Sequence, residues 1–157
     1  MDIWLGAALG GLIAFVLSIP AIVVELADRK HKLNLPLLVD VKEIWGRKIT
    51  QPEMFWLGLL NHLVMGAIFG LLYPLFVVNE WLYVTGNPYS MLSLFIYALH
   101  FWLVSMVIVF PILGFGLFGR REGKLVWIEV LITMILIGVA MQFAIDWFRP
   151  FFFALPV

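Results

Sequence analysis

The feature that most constrains this chain is the apolar run MFWLGLLNHLVMGAIFGLLYPLFVV at residues 54–78. A helix of about 20 apolar residues crosses the hydrocarbon core of a bilayer, so the run predicts a transmembrane helix. Residues spaced by four form one stripe along that helix: Gly58, His62, Gly66, Gly70 and Pro74. Because glycine lacks a side chain, the stripe forms a groove. The groove suits either the backbone of a second helix or a flat cofactor beside His62.

Composition extends this interpretation to the whole chain. Of its 157 residues, 64% are apolar and 13% are charged, and the mean hydropathy is +1.05. Soluble domains are about half apolar and about a quarter charged, so we expect an integral membrane protein. At about 20 residues per span, the length allows roughly four or five crossings and no large soluble catalytic domain. We therefore predict a single transmembrane domain over residues 1–157.

Cysteine content and net charge exclude several other classes of function. The chain has no cysteine and a formal net charge of zero. Disulfides, thiolate metal sites and covalently attached haem are therefore excluded. We expect no nucleic-acid partner, because binding to nucleic acid is typical of strongly basic domains.

Apolar runs predict four transmembrane helices, at about residues 3–25, 53–78, 88–118 and 125–148. Between the first two, residues 35–47 carry apolar side chains on one side and charged side chains mostly on the other. This pattern, with a Trp and flanking Lys and Arg, is typical of a helix lying in the membrane surface. The expected fold is therefore all-α, with four transmembrane helices and one interfacial amphipathic helix between helices 1 and 2.

The positions of the basic residues predict the orientation. Nine of the ten Lys and Arg residues lie in 29–48 or 120–124, and the tenth is Arg149. Loops rich in Lys and Arg stay in the cytoplasm, so both termini are expected on the non-cytoplasmic side. The expected location is a bacterial inner membrane.

Two segments of the chain align with each other and predict a tandem helix-hairpin repeat. VLSIPAIVVELADRK (16–30) matches VIVFPILGFGLFGRR (107–121), with Pro20 aligned on Pro111. Both copies point the same way, which is typical of a parallel repeat. The interfacial helix is then an insertion in the first copy only.

Two histidines are the candidate cofactor ligands. His62 lies about eight residues inside the cytoplasmic end of its span and His100 about nine residues inside the outer end of the next, at nearly the same depth. One imidazole from each of two helices is the arrangement of a b-type haem, and Gly58, Gly66 and Gly70 would give the ring room. The alternative is that each histidine is a hydrogen-bond partner between helices.

A second candidate site is a polar cluster near the cytoplasmic side. Glu25 lies at the cytoplasmic end of the first span and Glu129 one turn inside that end of the fourth, and with Asn61 and His62 of the second span they could form a cluster that opens to the cytoplasm. Polar side chains at membrane depth are candidates for a proton or cation path. In the alternative interpretation, both carboxylates reach interfacial water or pair with nearby basic residues.

The motifs of hydrolytic and transfer enzymes are absent, as are acidic residues at metal-binding spacing. We therefore expect a non-enzymatic accessory or structural subunit of a larger respiratory, photosynthetic or other redox complex. Its partners are the lipid bilayer and other membrane subunits, or further copies of the chain. Two alternatives stay open. One is an electron-transfer subunit that binds haem b or a pigment through His62 and His100, and the other is a small transporter or channel component.

Overall fold

The computed structural model describes residues 2–27, 43–44, 47–82, 85–149 and 151–153. In chain order its elements are α1 (Asp2–Ala27), β1 (Glu43–Ile44), β2 (Arg47–Lys48), α2 (Gln51–Val78), α3 (Met91–Val104), a π-helical turn (Ser105–Val109), α4 (Phe110–Ile112), a 3-10 turn (Leu117–Gly119) and α5 (Val126–Phe148).

Four helical stretches are long and apolar enough to cross a membrane: Asp2–Leu26, Glu53–Val78, Met91–Ile112 and Val126–Phe148. Large apolar side chains stay exposed along them, as at Leu12 on α1 and Val64 on α2. Exposed apolar surface of this extent is unfavourable in water and favourable in hydrocarbon. The prediction of four helices with membrane-spanning length and composition is confirmed.

The prediction of an interfacial helix at residues 35–47 is wrong where the structure describes that segment. Glu43 pairs with Lys48 and Ile44 with Arg47 in an antiparallel two-strand ladder. Local pairing thus replaces the helical hydrogen bonds expected there. Residues 35–42 and 45–46 lie outside the described residues.

The third span ends at Ile112, earlier than the predicted residue 118. Pro111 has no N–H to donate within the helix, and the backbone before it widens into the π-helical turn. Positive φ angles then turn the chain at Gly114 (90°) and Gly116 (75°), a conformation that favours glycine. These two glycines end the span.

The closest helix contact joins α1 and α2, which run antiparallel with glycines facing glycines. A Cβ atom added at Gly10 would lie 2.1 Å from the carbonyl oxygen of Gly66, and one added at Gly70 would lie 2.0 Å from that of Gly6. No Cβ atom fits at such distances, so the two backbones touch directly. Such contact between small residues is a common way for helices to associate in lipid, where apolar side chains gain nothing by leaving the solvent.

Aromatic side chains fill the space between α2 and α3. The Phe69 ring packs edge-on against Tyr97 and Phe101, with centroid distances of 4.7 and 5.3 Å. The Tyr97 hydroxyl donates a hydrogen bond to the Phe69 carbonyl at 2.8 Å. The contact of α3 with α5 is looser than that of α1 with α2, because a Cβ at Gly138 would lie 3.7 Å from the Cβ of Ala98. The bundle therefore contains one tight helix pair and one looser pair, joined by an aromatic layer.

The tandem repeat stays a prediction. Pro20 lies within the continuous helix α1, whereas its aligned counterpart Pro111 follows a π-helical turn. After the loops, the same repeat aligns Gly66 with Gly138. Gly66 touches the backbone of the neighbouring helix, whereas Gly138 has contacts at ordinary van der Waals distances. The paired positions therefore have different local structures.

Polar and aromatic contacts close the end of the bundle opposite to β1 and β2. The Phe153 N–H donates to the Asp2 carboxylate at 3.0 Å, and the Arg149 guanidinium lies 5.2 Å from the centre of the Tyr89 ring. Burial raises the pKa of Tyr89 to about 12; the Asp2 carboxylate adds to this rise and Arg149 opposes it. The Gln142 amide donates to the Tyr89 carbonyl. These contacts tie the start of α1, the start of α3 and the end of α5 together.

Two adjacent glycines of α1 give a matched test of the backbone contact. An alanine at Gly10 would place its Cβ 2.1 Å from the Gly66 oxygen, whereas one at Gly11 would lie 3.6 Å from the Ala67 Cβ. We expect Gly10→Ala to lower the free energy of unfolding by about 1–3 kcal/mol, as overpacking does. Gly11→Ala should change it by less than about 0.5 kcal/mol. Denaturant unfolding in detergent micelles measures both, and equal effects would contradict the contact.

Candidate functional site in the helix bundle

His62 is held by the tight pairing of α1 and α2. Its side chain is 8% exposed, and its Nε2 lies 3.0 Å from the carbonyl oxygen of Ala14, one turn beyond Gly10 on α1. A carbonyl oxygen only accepts hydrogen bonds, so Nε2 carries the hydrogen. The Nδ1 atom of the neutral ring is then an acceptor. The imidazole thus joins two helices through one nitrogen and keeps a lone pair on the other.

A small cavity lies beside His62, between α2 and α5. Its volume is about 30 Å³, and its polar walls are Asn61, His62, Glu129 and Thr133. Gly58 and the apolar residues Met65, Phe110, Val130 and Met134 complete the lining. A cavity of this volume has room for water, and a buried water needs two to four polar partners. The cavity is therefore a polar site that water can enter.

Three of the four residues in the predicted polar cluster meet at this cavity. Asn61 and His62 reach it from α2, and Glu129 reaches it from α5. Glu25, near the end of α1, is not among the residues that line it. Thr133 is an additional member that we did not assign from the sequence. Thr133 could have been assigned from its spacing of four residues from Glu129, which puts both side chains on one face of α5.

Towards the opposite end of the bundle, apolar side chains follow the cavity. Beyond Met134, the buried face of α5 continues with Ile137 and Met141, and Phe69 lies at the same level on α2; all three are fully buried. Among the described residues that line the cavity, the polar ones are confined to the half of the bundle near the 120–124 turn.

The glycine stripe of α2 is occupied by a helix. Gly66 and Gly70 face the backbone of α1 at contact distance, whereas Gly58 borders the cavity. The sequence left open whether this groove holds a helix backbone or a flat cofactor. At Gly66 and Gly70 the groove holds the backbone of α1.

His100 lies in a different environment from His62. Its side chain is exposed on α3, and its Nδ1 lies 2.8 Å from the Ile96 carbonyl of the same helix. The contact between Tyr97 and Phe69 sets the register of α2 and α3, so His100 lies beside residues 66–70, about one to two turns from His62. The cavity beside His62 does not include His100. The described structure therefore does not place the two imidazoles around one cofactor.

No group of three or more His, Cys, Asp or Glu side chains in the described part of the chain is arranged to hold a metal ion. Comparison with protein-family models, with curated proteins and with solved structures found no match. The function is therefore inferred from the geometry of this chain.

Proposed function

We propose that the protein is a non-enzymatic subunit of a larger membrane-embedded assembly, and that the exposed face of α3 around His100 contacts a partner. The single observation that carries this proposal is a histidine on the outer surface of the bundle near mid-membrane depth.

The depth of His100 makes its exposure costly in lipid. It lies nine residues after Met91 and twelve before Ile112, about 13 Å and 18 Å from the two ends of the span. The neighbouring side chains on this face, such as Leu103 and Val107, are exposed and apolar. Transfer of an amide or hydroxyl group from water to an apolar medium costs roughly 2–7 kcal/mol when no hydrogen bond compensates. Ionisable side chains at this depth therefore usually face protein or water. A partner on this face would remove that cost.

The hydrogen bond of His100 defines the chemistry of the partner. Because the Ile96 carbonyl accepts from Nδ1, the neutral ring presents Nε2 as an acceptor. The partner helix must therefore offer a donor, such as a hydroxyl, an amide or an indole N–H. Two copies of the chain cannot pair through neutral His100 rings, since both would present acceptors.

Removal of the imidazole should weaken the assembly without unfolding the chain. We expect His100→Leu to release the protein from its complex on native gels, because the partner donor loses its acceptor inside the membrane. The control Val104→Leu keeps the face apolar and should leave migration unchanged. Unaltered co-migration of the His100→Leu variant would contradict the proposal.

The absence of native cysteine allows the contact to be mapped in the same membranes. A thiol introduced by Leu103→Cys on α3 and labelled with a maleimide that carries a photoreactive benzophenone should cross-link to the partner on illumination. One introduced by Leu12→Cys, on the exposed face of α1, should not.

A second candidate is ligation of haem b by His100 together with a residue of the partner. Metal-binding histidines commonly donate one ring N–H to a backbone carbonyl and use the other nitrogen as the ligand. His100 has this arrangement, with Nδ1 on Ile96, whereas His62 uses Nε2 for its bond to Ala14. A reduced-minus-oxidised spectrum of the gently purified complex tests it. A Soret band that is lost in His100→Leu and retained in His62→Gln supports this candidate, and a colourless complex from a haem-replete host excludes it.

We also propose a bacterial inner-membrane location with both termini outside the cytoplasm. The turn containing Arg120, Arg121 and Lys124 and the strand β2 lie at the same end of the bundle, which agrees with the positive-inside rule. Green fluorescent protein inserted at Gly123 should fluoresce. Green fluorescent protein inserted at Gly86 should be exported and should not fluoresce. Gly86 lies in the loop between α2 and α3, where nothing lies within 4 Å of an added Cβ. Fluorescence at Gly86 alone would reverse the orientation.

A further inference from the structure

We propose that a groove at the start of α2 binds one phospholipid with a phosphoethanolamine headgroup. In this proposal the Arg47 guanidinium holds the phosphate of the headgroup and the Glu53 carboxylate holds its ammonium group. The described residues that line the groove belong to β2, to α2 and to the turn between them. The proposal therefore does not rest on the role of His100 on α3.

The groove is a concave surface between β2 and the first two turns of α2. Its volume is about 380 Å³, and its lining includes Arg47, Ile49, Glu53, Trp56 and Leu57. One water needs at least about 10–15 Å³, so the groove has room for a group of many atoms. Two of these residues carry opposite charges and three are apolar, which is a lining that suits an amphipathic molecule.

The groove lies at the level of the lipid headgroups. Glu53 is the first residue of the second membrane-spanning stretch, and Trp56, one turn further along α2, is 58% exposed. Tryptophan at the end of a span is typical of the interface between membrane and water. The charged side of the groove therefore meets the headgroups, and its apolar side meets the start of the acyl chains.

An apolar stripe continues from the groove towards the middle of the membrane. Leu57, Leu60 and Val64 are spaced by three and four residues, so they share one face of α2. Leu60 and Val64 are exposed. The helix rises about 16 Å from Glu53 to Val64, roughly the thickness of one hydrocarbon leaflet. An acyl chain attached to the headgroup can lie along this stripe, which favours a lipid over a free phosphoester.

The charged pair matches a headgroup that carries both signs of charge. Nη2 of Arg47 lies 3.4 Å from Oε1 of Glu53, and the two side chains are 78% and 44% exposed. The guanidinium has five N–H donors, so a phosphate can bind to it beside the carboxylate. Oε2 of Glu53 accepts from the Thr50 N–H, whereas Oε1 has a second lone pair that can accept from an ammonium group.

The Glu53 carboxylate determines which headgroups fit. A headgroup with a net negative charge binds the guanidinium but is repelled by the carboxylate. A choline headgroup has no N–H, so it cannot donate a hydrogen bond to Oε1. A phosphoethanolamine headgroup binds both side chains at once. We therefore expect the groove to prefer phosphatidylethanolamine over lipids with choline or glycerol headgroups.

Native mass spectrometry of the detergent-purified protein tests this preference. Dioleoyl lipids with ethanolamine, choline or glycerol headgroups are added at equal concentrations, so that the acyl chains are matched. We expect the protein to retain one ethanolamine lipid with about fivefold preference over each of the others, the size of the effect of an exposed ion pair. Glu53→Gln should abolish the preference over the choline lipid, because glutamine keeps the cap of α2 but not the charge.

Two further variants separate the charges. Arg47→Gln should lower the retention of all three lipids about fivefold, because each of them has a phosphate. The control Lys48→Gln removes a neighbouring charge that is not among the described residues lining the groove, and it should leave the preference unchanged. Equal retention of the three lipids by the unmodified protein, or an unchanged preference in Glu53→Gln, would overturn the proposal.

Thiol labelling tests the same groove in a bilayer. A thiol introduced by Ile49→Cys lies in the groove. It should react with a water-soluble maleimide up to about fivefold more slowly in vesicles of equal parts dioleoylphosphatidylethanolamine and dioleoylphosphatidylcholine than in vesicles of the choline lipid alone, because the bound lipid shields it. A thiol introduced by Lys48→Cys should react equally fast in both. If a partner or another part of the chain fills the groove, the thiol of Ile49→Cys also reacts equally fast in both, and the proposal fails.

Discussion

The direct contact between the backbones of α1 and α2 is the constraint on which the rest of the structure depends. In lipid, apolar side chains are solvated equally well inside and outside the bundle, so close packing has to hold helices together. Gly6 against Gly70 and Gly10 against Gly66 provide that packing. Because both stripes advance by four residues in opposite directions, one register satisfies every contact. The next step of the same register brings Ala14 to His62 and forms their hydrogen bond.

The polar cavity follows from this register. At Gly66 and Gly70 the backbone of α1 fills the stripe. At His62 the imidazole takes that place, and beside His62 and Gly58 a small space is left between α2 and α5. The space is polar because Glu129 and Thr133 lie on the same face of α5. His100 lies outside this arrangement, since the aromatic contacts of Phe69 turn Tyr97 inwards and leave His100 on the surface. The two histidines thus have separate environments.

Sequence reasoning predicted the features that depend on length and composition. The four spans were predictable because each needs about 20 apolar residues, and three of them were located within a few residues. The spacing of Gly66 and Gly70 predicted a groove. It did not identify what fills the groove, because small residues admit a helix backbone and a flat ring equally well. The sequence did not predict whether His100 faces the bundle or the lipid either. A span that is apolar on all sides has no amphipathic pattern to show which side faces the bundle.

Errors arose where local backbone geometry decides the structure. The third span was extended to residue 118 because its composition stays apolar beyond Ile112, whereas Gly114 and Gly116 turn the backbone. The segment before α2 was assigned to a helix from the spacing of its apolar residues, whereas hydrogen bonds across a short hairpin pair Ile44 with Arg47. Both features depend on single φ angles or single pairings, to which an averaged pattern is insensitive.

The measurement that tests the central claim most directly is disulfide formation between α1 and α2. Ala21 and Leu59 pack together in the same buried cluster, whereas Val64 is exposed on another face of α2. In a chain without native cysteine, the pair Ala21→Cys with Leu59→Cys should cross-link on mild oxidation in membranes, because these two side chains pack in one cluster and disulfides form between neighbouring side chains. The pair Ala21→Cys with Val64→Cys should stay reduced. Efficient cross-linking of the second pair, or none of the first, would contradict the antiparallel glycine register.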